Sequence, residues 1–132
     1  MTDAATVFVV DDDHSVRRSL ARLLRSAGHK TESFASAADF LANVACSGPA
    51  CALIDVRMPD VSGFDLFQDL QRRCPGLPVV FITGHGDIAM SERAIRAGAS
   101  DLLVKPVDES ALLGAVDRAL AASRARPLCG GG

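Results

Sequence analysis

Thr6-Val7-Phe8-Val9-Val10-Asp11-Asp12-Asp13 is the stretch whose reading decides the fold. Five apolar or β-branched residues run without a polar interruption and then stop abruptly at three carboxylates. A short continuous run of this kind reads as a strand buried on both faces, which is what a parallel sheet covered by helices requires. The residues that follow change period. Val16, Leu20, Leu23, Leu24 and Ala27 recur at helical spacing, and Gly28 supplies a C-terminal stop.

The same alternation continues along the chain. A weak strand is predicted near residues 30–33, then a helix capped by Ser36 with Phe40, Leu41 and Val44 on its apolar face. A strand over 50–54 precedes a helix from 62 to about 73, in which Phe64, Phe67 and Leu70 share one side. A strand over 77–82 leads to a helix over 88–97, capped by Asp87 and ended by Gly98. A last strand over 102–104 precedes a helix that Asp108 can cap and whose apolar stripe is Leu112, Val116, Ala119 and Leu120. Strands alternating with single helices imply right-handed crossovers, hence an α/β doubly wound parallel sheet with helices on both faces.

A length of 132 residues suits one domain, and the Gly-rich end over 125–132 reads as a flexible tail or the start of a linker. Hydrophobic residues make up 48% and aromatics 5%, without Trp or Tyr, so Val, Ile, Leu and Ala must build the core. A formal net charge of -2 offers no broad basic surface for nucleic acid, so any DNA contact is expected from a part outside this chain. Cys46, Cys51, Cys74 and Cys129 form no two-residue-spaced pair, which argues against zinc and for reduced thiols. No apolar run is long enough to span a bilayer, and Met1-Thr2-Asp3 does not begin a signal peptide, so a cytoplasmic protein without membrane contact is expected.

In open α/β sheets the ligand site lies outside the carboxyl ends of the strands. Four of the five predicted strand ends here carry polar residues: Asp11, Asp12 and Asp13, then Asp55, Thr83 and Lys105. Alone, each has a plain structural role as helix cap, loop hydroxyl or surface charge. Together they form a cluster of carboxylates that repel one another unless a cation offsets them. An oxygen-rich set of this kind suits Mg²⁺, which uses few protein ligands and keeps several waters.

Asp55-Val56-Arg57-Met58-Pro59-Asp60, Thr83-Gly84-His85-Gly86-Asp87 and Val104-Lys105-Pro106 stand in this order at those strand ends. On these motifs the sequence resembles the response-regulator receiver family, most nearly the FixJ-type receivers of two-component systems, over residues 6–122. The resemblance implies a five-stranded sheet of order 2-1-3-4-5, flanked by five helices, with residues 1–124 as the receiver domain. It implies that Asp55 takes a phosphoryl group from a sensor histidine kinase. Asp12, Asp55 and the backbone carbonyl of Arg57 would ligate Mg²⁺, Asp11 would hold a metal-bound water, and Asp13 would serve as a cap or loop residue. Lys105 and Thr83 would contact the phosphoryl oxygens, and the bond before Pro106 would be cis. Arg57 and His85 occupy positions that in similar receivers tune hydrolysis, with a solvated loop role equally open. The output would be transcriptional control, with at most slow autophosphatase activity and no turnover enzyme.

One departure stands out. Similar receivers often carry an aromatic residue three positions before the lysine, and here that switch position is Leu102. An aliphatic side chain can still change rotamer with Thr83, but it lacks a ring edge to fix the inward state. The fourth helix carries Ile88, Met90, Arg93, Ala94 and Arg96, a mixed patch suited to a phosphorylation-dependent homodimer. Two rival functions fit less well. A haloacid-dehalogenase-type aspartyl-phosphate phosphatase wants a second Asp two residues after the nucleophile, where this chain has Arg57. A flavodoxin-like nucleotide binder wants a Gly- or hydroxyl-rich loop after the first strand, where three Asp residues would repel a phosphate.

Overall fold

The computed structural model describes residues 5–44, 48–84 and 88–125, with side chains to residue 123. Strands and helices alternate as β1 (Thr6–Val10), α1 (His14–Ser26), β2 (Lys30–Phe34), α2 (Ala37–Asn43), β3 (Ala50–Asp55), α3 (Gly63–Arg73), β4 (Val79–Thr83), α4 (Ile88–Ala97), β5 (Asp101–Val104) and α5 (Glu109–Ala125). The sheet is parallel throughout and its order is β2-β1-β3-β4-β5, as expected.

Local chemistry starts each helix where the sequence offers a cap. The Asp13 carboxylate accepts from the Ser15 and Val16 amides at 2.9 and 3.3 Å. Ser36 and Ser62 accept from the amides of Asp39 and Asp65, and Asp108 from that of Ala111. These satisfy amides that have no intrahelical partner, which typically stabilises a helix by about 1 kcal/mol. Asp87, the expected cap of α4, lies outside the described residues, as do Cys46, His85, Gly86 and Cys129.

Every residue of β3 and β4 is buried, which explains their unbroken hydrophobicity. Alternate strand residues feed two cores. Val7, Val9, Leu53, Val80 and Ile82 meet Leu20 and Leu24 of α1 and Leu112, Val116 and Leu120 of α5. Phe8, Val10, Ile54 and Phe81 meet Phe40 of α2, Phe64, Phe67 and Leu70 of α3, and Ala94 of α4. Phe81 lies at the centre of an aromatic cluster, 4.7 Å from Phe64 and 5.6 Å from Phe67 between ring centroids.

Four expectations need correction. β4 begins at Val79 rather than at residue 77, because Pro78 has no amide to donate; its carbonyl still accepts from Ala52 at 3.0 Å. β3 runs one residue further, so Asp55 is the last residue of the strand and not the first of a loop. Ala94 is fully buried and belongs to the core, not to an exposed patch on α4. Its neighbour Met90 is half-buried against the same core, leaving Ile88, Ile95 and Arg96 outward. Cys74 is disulfide-bonded, whereas Cys51 is a free thiol whose pKa burial pushes up to about 12. Sequence spacing does not report the Cα separation that decides pairing. Among the described residues no helix is long and apolar enough to cross a membrane.

Candidate functional site

The parallel register brings the carboxyl ends of β1, β3, β4 and β5 to one edge of the sheet. Asp11 follows β1 and is 1% exposed, while Asp55 ends β3 at 5% and Thr83 ends β4 at 1%. Burial this deep is unusual for carboxylates without partners, and Lys105 supplies the partner. Its Nζ stands 3.1 Å from Asp11 Oδ2 and 3.3 Å from Asp55 Oδ2. The Lys105 amide donates to the Thr83 carbonyl at 2.8 Å, which ties the residue just after β5 to the end of β4, and the Lys105-Pro106 peptide is cis. Leu102 pairs with Phe81 across β4 and β5 and packs partly against the core.

The backbone holds the two buried carboxylates in place. Asp11 Oδ1 accepts from the Asp13 amide at 2.9 Å, and Asp55 Oδ1 accepts from the Arg57 amide at 3.1 Å. The Arg57 side chain itself is exposed. Asp11 Oδ2 is different: it has the Lys105 ion pair but no hydrogen bond of good geometry. Distance alone gives attraction without a directed donor, so this buried oxygen remains under-coordinated.

The charges perturb one another. Burial raises the Asp55 pKa from 3.8 to about 6, with the Arg57 amide opposing, the Asp11 charge adding to the rise, and Lys105 opposing. Burial pulls the Lys105 ammonium down, but its close pairing with Asp11, and then with Asp55, more than reverses this, so its pKa is raised. One lysine thus serves two carboxylates, and the site is short of positive charge.

Asp11, Asp12 and Asp55 can each aim a carboxylate oxygen to within 4.8 Å of the others. Hard oxygen donors, an under-coordinated buried oxygen and excess negative charge fit a divalent cation of the Mg²⁺ type. Asp13 stands apart from this set, because its carboxylate caps α1.

Three further contacts were not anticipated from the sequence. Arg17 Nη1 donates to the Asp11 carbonyl at 2.6 Å, so α1 reaches back to brace the first acidic residue. Asp60 Oδ2 accepts from the Ala38 amide at 3.2 Å and ties the loop after β3 to the start of α2. Gly63 lies so close to β3 that a Cβ there would come within 2.6 Å of the Asp55 carbonyl oxygen. A Gly four residues past a Met-Pro pair hints at close approach, but nothing in its spacing identifies what it approaches.

The response regulator receiver domain family matches residues 7–117. The response regulator protein TodT of Pseudomonas putida F1 is 46% identical over 121 residues, 91% of this chain and 53% of that protein. The transcriptional regulatory protein FixJ of Azorhizobium caulinodans is 41% identical over 123 residues, 93% of this chain and 58% of that one. The chain therefore spans about half the length of the curated relatives it matches. Among solved structures, the response regulator StyR superposes with a TM-score of 0.85 at 47% identity, covering 92% of this chain and 62% of that chain. Sequence, topology and the acidic edge of the sheet converge: this chain belongs to the response-regulator receiver family of two-component systems.

Proposed function

We propose that residues 1–124 act as the receiver unit, with 125–132 as tail or linker start, and that Asp55 accepts a phosphoryl group from the phosphohistidine of a sensor histidine kinase. The observation that carries this reading is the position of Asp55: a strand-end carboxylate, backbone-held through one oxygen and facing Lys105 Nζ at 3.3 Å through the other. One carboxylate oxygen attacks phosphorus as the nitrogen–phosphorus bond breaks, and the electron pair of that bond stays on the imidazole. Lys105 then faces the phosphoryl oxygens and the Thr83 hydroxyl donates to one of them. Positioning and charge neutralisation supply most of the rate in such a transfer. Asp12, Asp55 and the Arg57 carbonyl would hold Mg²⁺, with Asp11 as its outer partner; when bound, the ion neutralises charge on the transferred group. Water later removes the group slowly, so the unit signals and does not turn over substrate. A small phosphodonor should leave an acid-stable, base-labile label on the peptide that contains Asp55. Label on another peptide would overturn the assignment.

Mg²⁺ binding is expected to be weak and to depend on Asp12. Asp12→Ala removes one of few protein oxygens and should weaken binding about tenfold or more, on the order of one charge-assisted contact. Titration giving the wild-type affinity would place the ion elsewhere.

The reading extends to an output through a separate part of the protein, by analogy with a relative named a transcriptional regulator. Phosphorylation would favour a homodimer through α4 and β5, where Ile88 is 78%, Ile95 59% and Val104 47% exposed. With Leu102 at the switch position, we expect coupling that shifts populations without locking them. Sedimentation with and without a beryllofluoride phosphoryl mimic tests both points. A monomer in both states, with unchanged amide spectra over 88–103, would reject the switch and the dimer.

A further inference from the structure

We propose that the arginine-lined recess between α1 and β2 binds the adjacent phosphates of an oligophosphate anion, at a site separate from Asp55. The recess is an open groove of about 650 Å³, lined along α1 by Arg17, Arg18, Arg22 and Arg25, with His14 also on α1 and Ser33 as the residue contributed by β2. That volume falls within the ~300–1,000 Å³ usual for small-molecule sites.

Charge is concentrated here against the trend of the chain. The protein carries a formal net charge of -2, yet α1, His14–Ser26, contains four arginines and no acidic residue. Among the described residues no carboxylate lines the recess. Glu32 of β2 lies nearby in sequence, but it pairs with Phe8 on the opposite face of the sheet, whereas Ser33 pairs with Val9 on the α1 face.

Two of the arginines are already held. Arg17 donates to the Asp11 carbonyl at 2.6 Å and lies 3.4 Å from His14 Nδ1. Arg25 donates to the Thr31 carbonyl at 3.3 Å. Arg18 and Arg22 are exposed and make no ion pair with any described residue. Like charges packed along one helix repel, and a multivalent anion relieves that repulsion at every arginine at once. Guanidinium forks match phosphate oxygens in pairs, and two forks fixed in advance reduce the ordering that binding demands. The four guanidinium groups lie along one helix and line one open groove, so a ligand with adjacent phosphates can engage several of them together.

Titration of the full chain in EDTA, at physiological salt, with inorganic tripolyphosphate and separately with ATP tests the site. Amide shifts over residues 14–26 and at Ser33 are expected with both probes. Equal affinities would mean that the phosphates are the ligand, and tighter ATP binding would mean that the nucleoside adds contacts; either supports the proposal. Arg18→Ala/Arg22→Ala should weaken binding about tenfold or more, given one or two lost charge-assisted bonds, and both positions are exposed enough to leave the fold intact. Arg96→Ala on α4 should leave it unchanged. The proposal fails if neither probe binds at millimolar concentration, if the shifts map elsewhere, if the double variant binds like wild type, or if polyglutamate competes as well as tripolyphosphate.

Discussion

Asp55→Asn is expected to abolish labelling by a kinase or small phosphodonor and, without divalent cation, to make the protein more stable at neutral pH. The first effect follows from nucleophilicity, because an amide oxygen is a far poorer nucleophile than a carboxylate. The second follows from the raised Asp55 pKa of about 6 against 3.8 in the free residue. A carboxyl that holds its proton more tightly when folded contributes stability that is fully present below about pH 3.8. That contribution is lost as the pH rises through the interval to about 6 and stays lost above it. A difference of that size corresponds to a ceiling of about 3 kcal/mol. Solvent screening and the shared lysine reduce it to on the order of 1 kcal/mol. Denaturant unfolding in EDTA at pH 4 and pH 7.5 reads the effect as a double difference. The variant should match wild type at pH 4 and exceed it at pH 7.5. An advantage equal at both pH values would mean that Asp55 ionisation carries no strain, and persistent labelling of the variant would reject Asp55 as the acceptor.

The same economy of charge explains what was legible in the sequence. Asp11, Asp12, Asp55, Thr83 and Lys105 could be picked out because each interrupts an apolar run at the end of a strand, and parallel topology gathers strand ends. The helical faces were legible for a similar reason: Phe64, Phe67 and Leu70, or Leu112 and Val116, repeat at the period of the helix that buries them. The order of the strands came from the motifs and not from periodicity, since many orders bury the same residues. What stayed hidden depends on where loops return. The Arg17 bond to the Asp11 carbonyl, the Asp60 bond to the Ala38 amide and the approach of Gly63 to Asp55 join residues 6, 22 and 8 positions apart through turns whose path no local pattern encodes. Ala94 misled for another reason. A small residue on a helix of mixed character reads as neutral, and only its burial in the core that holds Phe64, Phe67 and Phe81 decides that it is core.

Gly63→Ala is expected to destabilise the protein and to slow phosphorylation together, because this residue sits where α3 closes on the strand that presents the acceptor. Its amide donates to the Val56 carbonyl at 2.8 Å. A Cβ would meet the Asp55 carbonyl oxygen at 2.6 Å and the Val56 Cα at 2.9 Å. Those neighbours are backbone atoms of the last residue of a fully buried central strand and of the buried residue that follows it, so they cannot swing aside as a flexible side chain would. Either β3 shifts at Asp55 or α3 lifts from the sheet, and the second movement pulls Phe64 from its place against Phe81. Overpacking of this kind costs about 1–3 kcal/mol, which for a domain of this size lowers Tm by roughly 5–10 °C. The better helix propensity of Ala offsets only a part of that, at most about 1 kcal/mol. Gly84 provides the comparison: it lies at the same edge of the sheet, yet a Cβ there meets nothing within 4 Å. Gly84→Ala should therefore stay within about 0.5 kcal/mol of wild type. If the clash displaces Asp55, the labelling rate of Gly63→Ala should fall about tenfold at a temperature where the variant is still folded, since small misplacements of a reacting group are expensive. A Gly63→Ala protein as stable as Gly84→Ala would show that α3 yields at no cost, and the close packing of Gly63 on Asp55 would then have no part in holding the acceptor.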